Sequence, residues 1–355
     1  MSIDDGSTVS EKLIDWYEHN KRDLPWRHTD NPYLIWISEI ILQQTRVNQG
    51  MDYYLRFVDR FPDVQTLAAA DENEVLKYWQ GLGYYSRARN LHRAARQIME
   101  IYSGQFPISH SEVLCLSGIG DYTAAAICSF AYDHSYAVVD GNVYRVLSRY
   151  FGIETPIDST EGKKLFSQLA KEILSPSHPG IHNQAVMEFG ALQCVPANPD
   201  CEGCVLRDSC VAFESNRVSL LPIKDKKTKV TKRHFNYLYI RYGDSTFLQK
   251  RTKKDVWQNL YEFPLIESDH LFEVDELLNN PAFNALIEGV QVNLRSVSPI
   301  RKHILTHRQI FARVFVIEID RMNEKLNNFE LTNTDKIHDY PVSRLMEMFL
   351  EDHLA

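Results

Sequence analysis

What most constrains this chain is a change of hydrophobic period across one short lysine-rich segment. As far as about Val218 the apolar residues recur at helical spacing, with Leu13, Ile14 and Tyr17 on one face. The same rhythm predicts helices over 34–44, 47–60, 72–79, 84–102, 109–116, 121–132, 142–151, 160–174 and 182–193. Asp71 with Glu74, and Ser109 with Glu112, have the spacing of capping boxes at helix starts. After the bend at Pro222, Lys224, Lys226, Lys227, Lys229, Lys232 and Arg233 crowd a stretch relieved only by Asp225. Such a stretch reads as a solvated linker, equally able to collect phosphate contacts beside DNA. Beyond it the period falls to two: Phe235, Tyr237 and Tyr239 alternate with Asn236, Leu238 and Ile240. A Gly243-Asp244 turn leading into 246–250 predicts a hairpin, 309–319 another strand, and 273–279 and 281–287 helices. With 355 residues, two domains are expected. The first is mainly α over 1–218, the linker covers 219–233, and a smaller α+β domain with a mixed sheet covers 234–355.

Hydrophobic residues make up 44% of the chain, enough for packed cores and too many for a disordered polymer. No apolar run approaches the roughly 20 residues of a membrane helix. Residues 1–10 carry Asp4 and Asp5 and no apolar stretch of signal-peptide type, so a soluble protein of the cytoplasm is expected. The net charge of -8 argues mildly against a nucleic-acid partner. It is no veto, because a DNA site needs only a local basic face and oriented backbone amides.

Four of the six cysteines, Cys194, Cys201, Cys204 and Cys210, form C-x6-C-x2-C-x5-C. In a reducing compartment, thiols this close read as metal ligands. Zinc is one reading, but four-thiolate zinc sites usually show two C-x2-C knuckles. The single short pair and the longer intervals fit a [4Fe–4S] loop better. Cys115 and Cys128, in apolar helical context, read as inert buried thiols.

Three further features carry chemistry. Leu116-Ser117-Gly118-Ile119-Gly120 lies between two helices, and its glycines let the backbone turn tightly beside the free N–H groups that open the next helix. Such a turn either binds a phosphate or simply connects helices. Glu39 interrupts an almost wholly apolar helix, where burial should raise its pKa unless a partner such as Arg27 holds it as the anion. Asp140 precedes Gly141-Asn142 and a helix, and by itself reads first as an N-cap. A capped carboxylate is also rigid, as a group that stabilises an oxocarbenium-like sugar must be.

The hairpin, the aspartate some twenty residues on and the four-cysteine loop together resemble the endonuclease III superfamily of helix-hairpin-helix DNA glycosylases. Within it the chain resembles the MutY-type adenine DNA glycosylases, almost continuously from Leu24 to Cys210. The match includes Leu24-Pro25-Trp26-Arg27, Ser38-Glu39-Ile40, Leu42-Gln43-Gln44-Thr45, Gly81-Leu82-Gly83-Tyr84-Tyr85 and Val139-Asp140-Gly141-Asn142-Val143. The resemblance implies two helical subdomains, a [4Fe–4S] cluster on the four cysteines, and action as a monomer on double-stranded DNA carrying A·8-oxoguanine or A·G mispairs. It implies that Glu39 protonates N7 of adenine and later activates water, and that Asp140 stabilises or traps the sugar cation. Tyr122 and Asn142 support the transition state. Trp26, Arg27, Leu42 and Gln184 line the adenine pocket, while Gln43, Gln44, Thr45 and Tyr84 meet the DNA left behind. Bifunctional relatives carry a lysine at the position of Tyr122, and a phenol forms no Schiff base.

Trp257-Gln258-Asn259-Leu260-Tyr261-Glu262-Phe263-Pro264 and Lys302-His303-Ile304-Leu305-Thr306-His307-Arg308 resemble the MutT-like C-terminal domain of these enzymes, without the acidic signature of the hydrolases. The family's lesion-reading triplet is Phe-Ser-His. Here it reads Leu305-Thr306-His307, which keeps the hydroxyl and imidazole but loses the aromatic ring. Two other functions stay open on the residues: a bifunctional glycosylase and lyase, and a non-catalytic iron–sulfur protein that binds DNA.

Overall fold

Asn31, Asp71, Ser109, Asp140 and Ser159 each accept a backbone N–H at the start of a helix, and these caps set the helical punctuation. The computed structural model describes residues 6–225 and 230–354. Asp4 and Asp5, and Lys226, Lys227 and Lys229 of the lysine-rich segment, lie outside the described residues. The helices are α1 (Gly6–Asn20), α2 (Pro32–Leu42), α3 (Val47–Arg60), α4 (Val64–Ala69), α5 (Glu72–Trp79), α6 (Ser86–Tyr102), α7 (His110–Leu114), α8 (Asp121–Tyr132), α9 (Gly141–Phe151), α10 (Thr160–Glu172), α11 (Pro179–Leu192) and α12 (Val211–Glu214). Each helix expected from the rhythm is present, and α4 and α12, too short to show a period, are additional.

By packing, the residues form two compact units. The first takes in 6–69 and 93–225, and the second 70–92 and 230–354. A single cut through the lysine-rich segment therefore misassigns 70–92, because α5 and the first turns of α6 find their partners in the second unit. Lys250 Nζ donates to Asn73 Oδ1 at 2.9 Å, and Arg89 Nη1 donates to the Gln258 carbonyl at 2.7 Å. The local helical period carries no record of such partners.

In the first unit, Leu13 and Tyr17 of α1 pack with Val146, Phe166 and Phe189 of α9, α10 and α11. A second small cluster joins Ala125 and Ala126 of α8 to Val138, against Tyr122 and Met187. No helix among the described residues is long and apolar enough to cross a membrane.

The second unit holds β1 (Thr231–Tyr242), β2 (Ser245–Lys250), β3 (Tyr261–Glu262), β4 (Leu265–Ser268), α13 (Val274–Leu278), α14 (Pro281–Leu286), β5 (Val292–Val297), β6 (Arg301–Leu305), β7 (Arg308–Ile319), β8 (Glu330–Asn333) and α15 (Arg344–Leu354). The sheet path is β3-β2-β1-β7-β5, with β4 on β1, β6 on β7 and β8 on β2. Strands β1 and β7 run parallel and the remaining pairs antiparallel, so the sheet is mixed as expected. The expected hairpin turns at Gly243, whose φ of 56° suits a residue without Cβ. The alternation in β1 does not mark an exposed face, since Phe235 to Ile240 are all buried. Leu238 and Ile240 pack with Leu277 and Phe283, while Tyr237 meets Phe349 of α15 edge-on with ring centroids 6.2 Å apart.

Candidate active site

The apolar run 34–42 folds as a buried helix because Asn31 caps it and Pro32 fits its first turn. Glu39 thereby lies inside the first unit, 7% exposed. Tyr122, on the first turn of α8, donates its hydroxyl to Glu39 Oε2 at 2.7 Å. Burial pushes the Glu39 carboxyl up to about 7, while the Tyr122 hydrogen bond pulls it back; the nearby Asp140 raises it and Arg27 lowers it. Burial also drives the Tyr122 phenol well above its usual range, so it remains a donor.

Arg27 is not the partner of Glu39. Its Nη1 and Nη2 donate to Glu188 Oε1 and Oε2 at 2.9 and 2.8 Å, and Arg22 Nε donates to the same Oε1 at 2.8 Å. Burial would raise Glu188, but the hydrogen bonds from Arg22 and Arg27 overcome it and hold the carboxylate at about 2. A fixed guanidinium and a protonatable acid thus face one cavity with different partners.

Asp140 is the N-cap of α9, as its position first suggests. Its Oδ1 accepts the N–H groups of Asn142 and Val143, both at 2.8 Å, and its Oδ2 accepts Asn142 Nδ2 at 2.8 Å. Burial raises its pKa, opposed by these bonds and by Arg145, all of which favour the anion. Asn142 Oδ1 in turn accepts Arg145 Nη2 at 2.8 Å, and Arg145 Nε donates to the Cys194 carbonyl at 2.7 Å. A Cβ on Gly190 of α11 would lie 2.7 Å from Asn142 Cβ, so glycine there permits the close approach of α9 and α11.

Glu39, Tyr122, Asp140 and Asn142 line one cavity of about 1100 Å³ together with Trp26, Arg27, Leu42, Gln43, Gln44, Thr45, Gly118, Gly120 and Gln184. Trp26 meets Tyr54 edge-on with centroids 5.1 Å apart, and Gln184 Oε1 accepts the Tyr17 hydroxyl at 2.7 Å. Gln43 Nε2 donates to Thr123 Oγ1 at 3.2 Å, while Gln44 is exposed with φ 58°. Of the two hairpin glycines only Gly118 needs its freedom, with φ 78°. Gly120, with φ -108° and ψ 178°, is extended and caps α8 without a side chain. The remaining candidates belong to the second unit. Tyr84 and Thr306 share a hydroxyl–hydroxyl hydrogen bond there, and Thr306 and His307 are exposed at the turn between β6 and β7.

Cys194, Cys201, Cys204 and Cys210 are free thiols lining one small cavity beside α9. Arg149 Nη1 donates to Cys194 Sγ at 3.4 Å, and Cys210 Sγ donates to the Arg149 carbonyl at 3.6 Å. Burial, reinforced by the other sulfurs, raises the Cys204 thiol to about 11. Among the described residues no group of three or more His, Cys, Asp or Glu is arranged to hold a metal ion. Four thiols lining one cavity are nevertheless the soft donor set that an iron–sulfur group takes. Cys128 is buried as expected, but Cys115 is exposed, because it follows the short helix α7 rather than lying within one.

Sequence reasoning missed Glu188, Arg22, Arg145 and Arg149. Glu188 carried the signal that exposed Glu39, a lone acid in the apolar stretch Ala185-Val186-Met187-Glu188-Phe189. The buried arginines are one helical turn apart on α9 and could have been flagged by the same argument.

Residues 37–175 match the profile of the HhH-GPD superfamily base excision DNA repair proteins, and 236–352 match a NUDIX domain. An adenine DNA glycosylase of Buchnera aphidicola from Acyrthosiphon pisum is 36% identical over 96% of this chain and 97% of its own length. That of Buchnera aphidicola from Baizongia pistaciae is 33% identical over 90% of this chain and 88% of its own. A thermostable thymine-DNA glycosylase of known structure superposes on 59% of this chain and 97% of its own, with TM-score 0.56 and 29% identity. With that coverage, and with an acid and a carboxylate in one cavity, the chain belongs to the adenine DNA glycosylases, enzymes that hydrolyse N-glycosidic bonds within the helix-hairpin-helix superfamily.

Proposed function

We propose that this chain, acting as a monomer on bacterial chromosomal DNA in the cytoplasm, removes adenine paired with 8-oxoguanine, and less efficiently with guanine, and leaves the strand uncut. The observation that carries the reading is Glu39, a buried acid with a pKa near 7 that shares a cavity with Asp140. An acid poised there is half protonated at neutral pH, which suits it to give a proton and later take one.

In this mechanism the duplex surrenders adenine to the cavity, with Trp26, Arg27, Leu42 and Gln184 around the base and Gln43, Gln44, Thr45 and Tyr84 against the DNA it leaves. The glycine turn at Gly118 and Gly120 offers backbone N–H groups to a phosphate. Glu39 protonates N7 and makes adenine a better leaving group. The C1′–N9 bond breaks, and the electron-poor sugar faces Asp140, which the α9 cap holds rigid. Asn142 and Tyr122 keep the two carboxyl groups oriented. Glu39, now ionised, takes a proton from the water that adds to C1′. Tyr122 stands where a lyase places a lysine, and the cations lining the cavity are guanidiniums, which form no Schiff base. Thr306 and His307 read the base opposite adenine.

Cys194, Cys201, Cys204 and Cys210 hold a [4Fe–4S] cluster in this reading. When bound, it supplies a covalent knot that fixes the loop 194–210 against Arg149 and α9. Adenine release from A·8-oxoguanine and A·G duplexes, compared among the parent, Glu39→Gln and Asp140→Asn, tests the proposal. Each variant should lose at least the roughly 100-fold typical of acid–base catalysis. Near-native turnover in either ends the mechanism, and DNA binding without base release by the parent makes the chain a binding protein. Borohydride trapping of a covalent adduct through a lysine would make it a lyase.

A further inference from the structure

The loop between β2 and β3 holds both arms of the hairpin that carries Thr306 and His307. Trp257 of that loop meets the His303 ring of β6 edge-on, with centroids 5.6 Å apart. Two residues earlier, Asp255 accepts Arg308, the first residue of β7, on Oδ1. Its Oδ2 accepts Arg233 Nη1 at 2.7 Å and Arg251 Nη2 at 3.0 Å. Burial would raise this half-buried carboxyl, but the hydrogen bonds from Arg308 and Arg233 overcome it and hold it far below the usual range. Each arginine is itself placed. Arg251 donates Nη1 to Glu262 at 2.7 Å and Nε to the Val256 carbonyl at 3.0 Å, and Arg233 donates to Glu267 through Nε at 2.6 Å and Nη2 at 2.7 Å.

Three cations and three carboxylates therefore balance, and Arg308 alone among these arginines adjoins the 305–307 turn. The backbone adds one tie, Thr231 N–H to the His307 carbonyl at 3.0 Å. A misplacement of about 1 Å is enough to lose a directed hydrogen bond, so whatever fixes the turn also sets what it can discriminate.

We propose that Asp255 is a specificity-determining positioning residue, which fixes the Thr306-His307 turn through Arg308 for reading the base opposite adenine. This rests on the lesion-reading role proposed above. The test is single-turnover adenine release by the full chain on A·8-oxoguanine and A·G duplexes, for the parent, Asp255→Asn and Arg308→Gln. Both variants should lose about tenfold of the parent's rate ratio, the value of one well-placed hydrogen bond, while the A·G rate stays within about twofold. Circular dichroism checks the fold, and if Asp255→Asn does not fold, Arg308→Gln decides. A folded variant that keeps the parent's ratio overturns the inference, as does an equal fall on both duplexes, which marks a structural role. A parent without preference overturns the lesion-reading role and this inference together. A parent with a preference that the variants keep overturns this inference alone.

Discussion

Replacing Glu39 by glutamine is expected to abolish turnover and to stabilise the fold, by an amount that grows with pH. The folded chain holds the Glu39 proton to about pH 7 against an ordinary value of 4.5, because burial penalises the anion more than Tyr122 and Arg27 relieve it. A carboxyl that binds its proton more tightly when folded draws stability away as pH rises between those two values. At about 1.4 kcal/mol for each pH unit, the cost reaches about 3 kcal/mol at pH 8 and shrinks to about 1 kcal/mol at pH 5. Glutamine has the same shape and still offers Tyr122 an acceptor, but it has no charge to bury. Urea unfolding followed by helical circular dichroism, which weights the first unit, should show the variant more stable than the parent at pH 8, with the gap narrowing by pH 5. A gap that does not change with pH, or a variant weaker than the parent at pH 8, would mean that Glu39 sits ionised at no cost. The acid role would then fail with it.

Tyr122→Phe removes the hydrogen bond that favours the Glu39 anion, worth about 1.5–3 kcal/mol for a charged acceptor. The alkaline limb of the pH–rate profile, expected near pH 7 in the parent from the Glu39 carboxyl, should move up by about one unit or more; a limb that stays or moves down refutes the pairing. Glu188→Gln leaves Arg22 and Arg27 facing each other without their anion at a carboxylate only 1% exposed. It should cost about 3 kcal/mol in unfolding experiments, and a loss below about 1 kcal/mol would show that the guanidiniums find water instead. Cys201→Ser should abolish the broad visible absorbance and the bound iron of a cluster protein, whereas a colourless parent carrying one zinc would refute the cluster.

The helical half was legible because its apolar residues repeat at 3.6 and its caps are spelled by Asp71, Ser109 and Asp140. Glu39 was legible as a charge in the wrong place, and Asp140 as a cap before it was anything else. What escaped was whatever depends on distant partners. No local pattern says that α5 belongs with β2 and β3, that Arg27 turns to Glu188 rather than Glu39, or that Arg308 reaches Asp255 across 53 positions of sequence. Strands β5, β6 and β8 also escaped, because their half-exposed residues give the period nothing to mark.

The excursion of residues 70–92 bears on how this enzyme can be dissected. A fragment ending before the lysine-rich segment would keep Glu72, Asn73, Gln80 and Arg89 but lose Asn259, Lys250, Glu347 and Gln258, to which they are hydrogen-bonded. Weak activity in such a fragment would then report a torn helical insert as much as the missing strands of the second unit. Point substitutions in the β6–β7 turn isolate the proposed reading role; amputation does not.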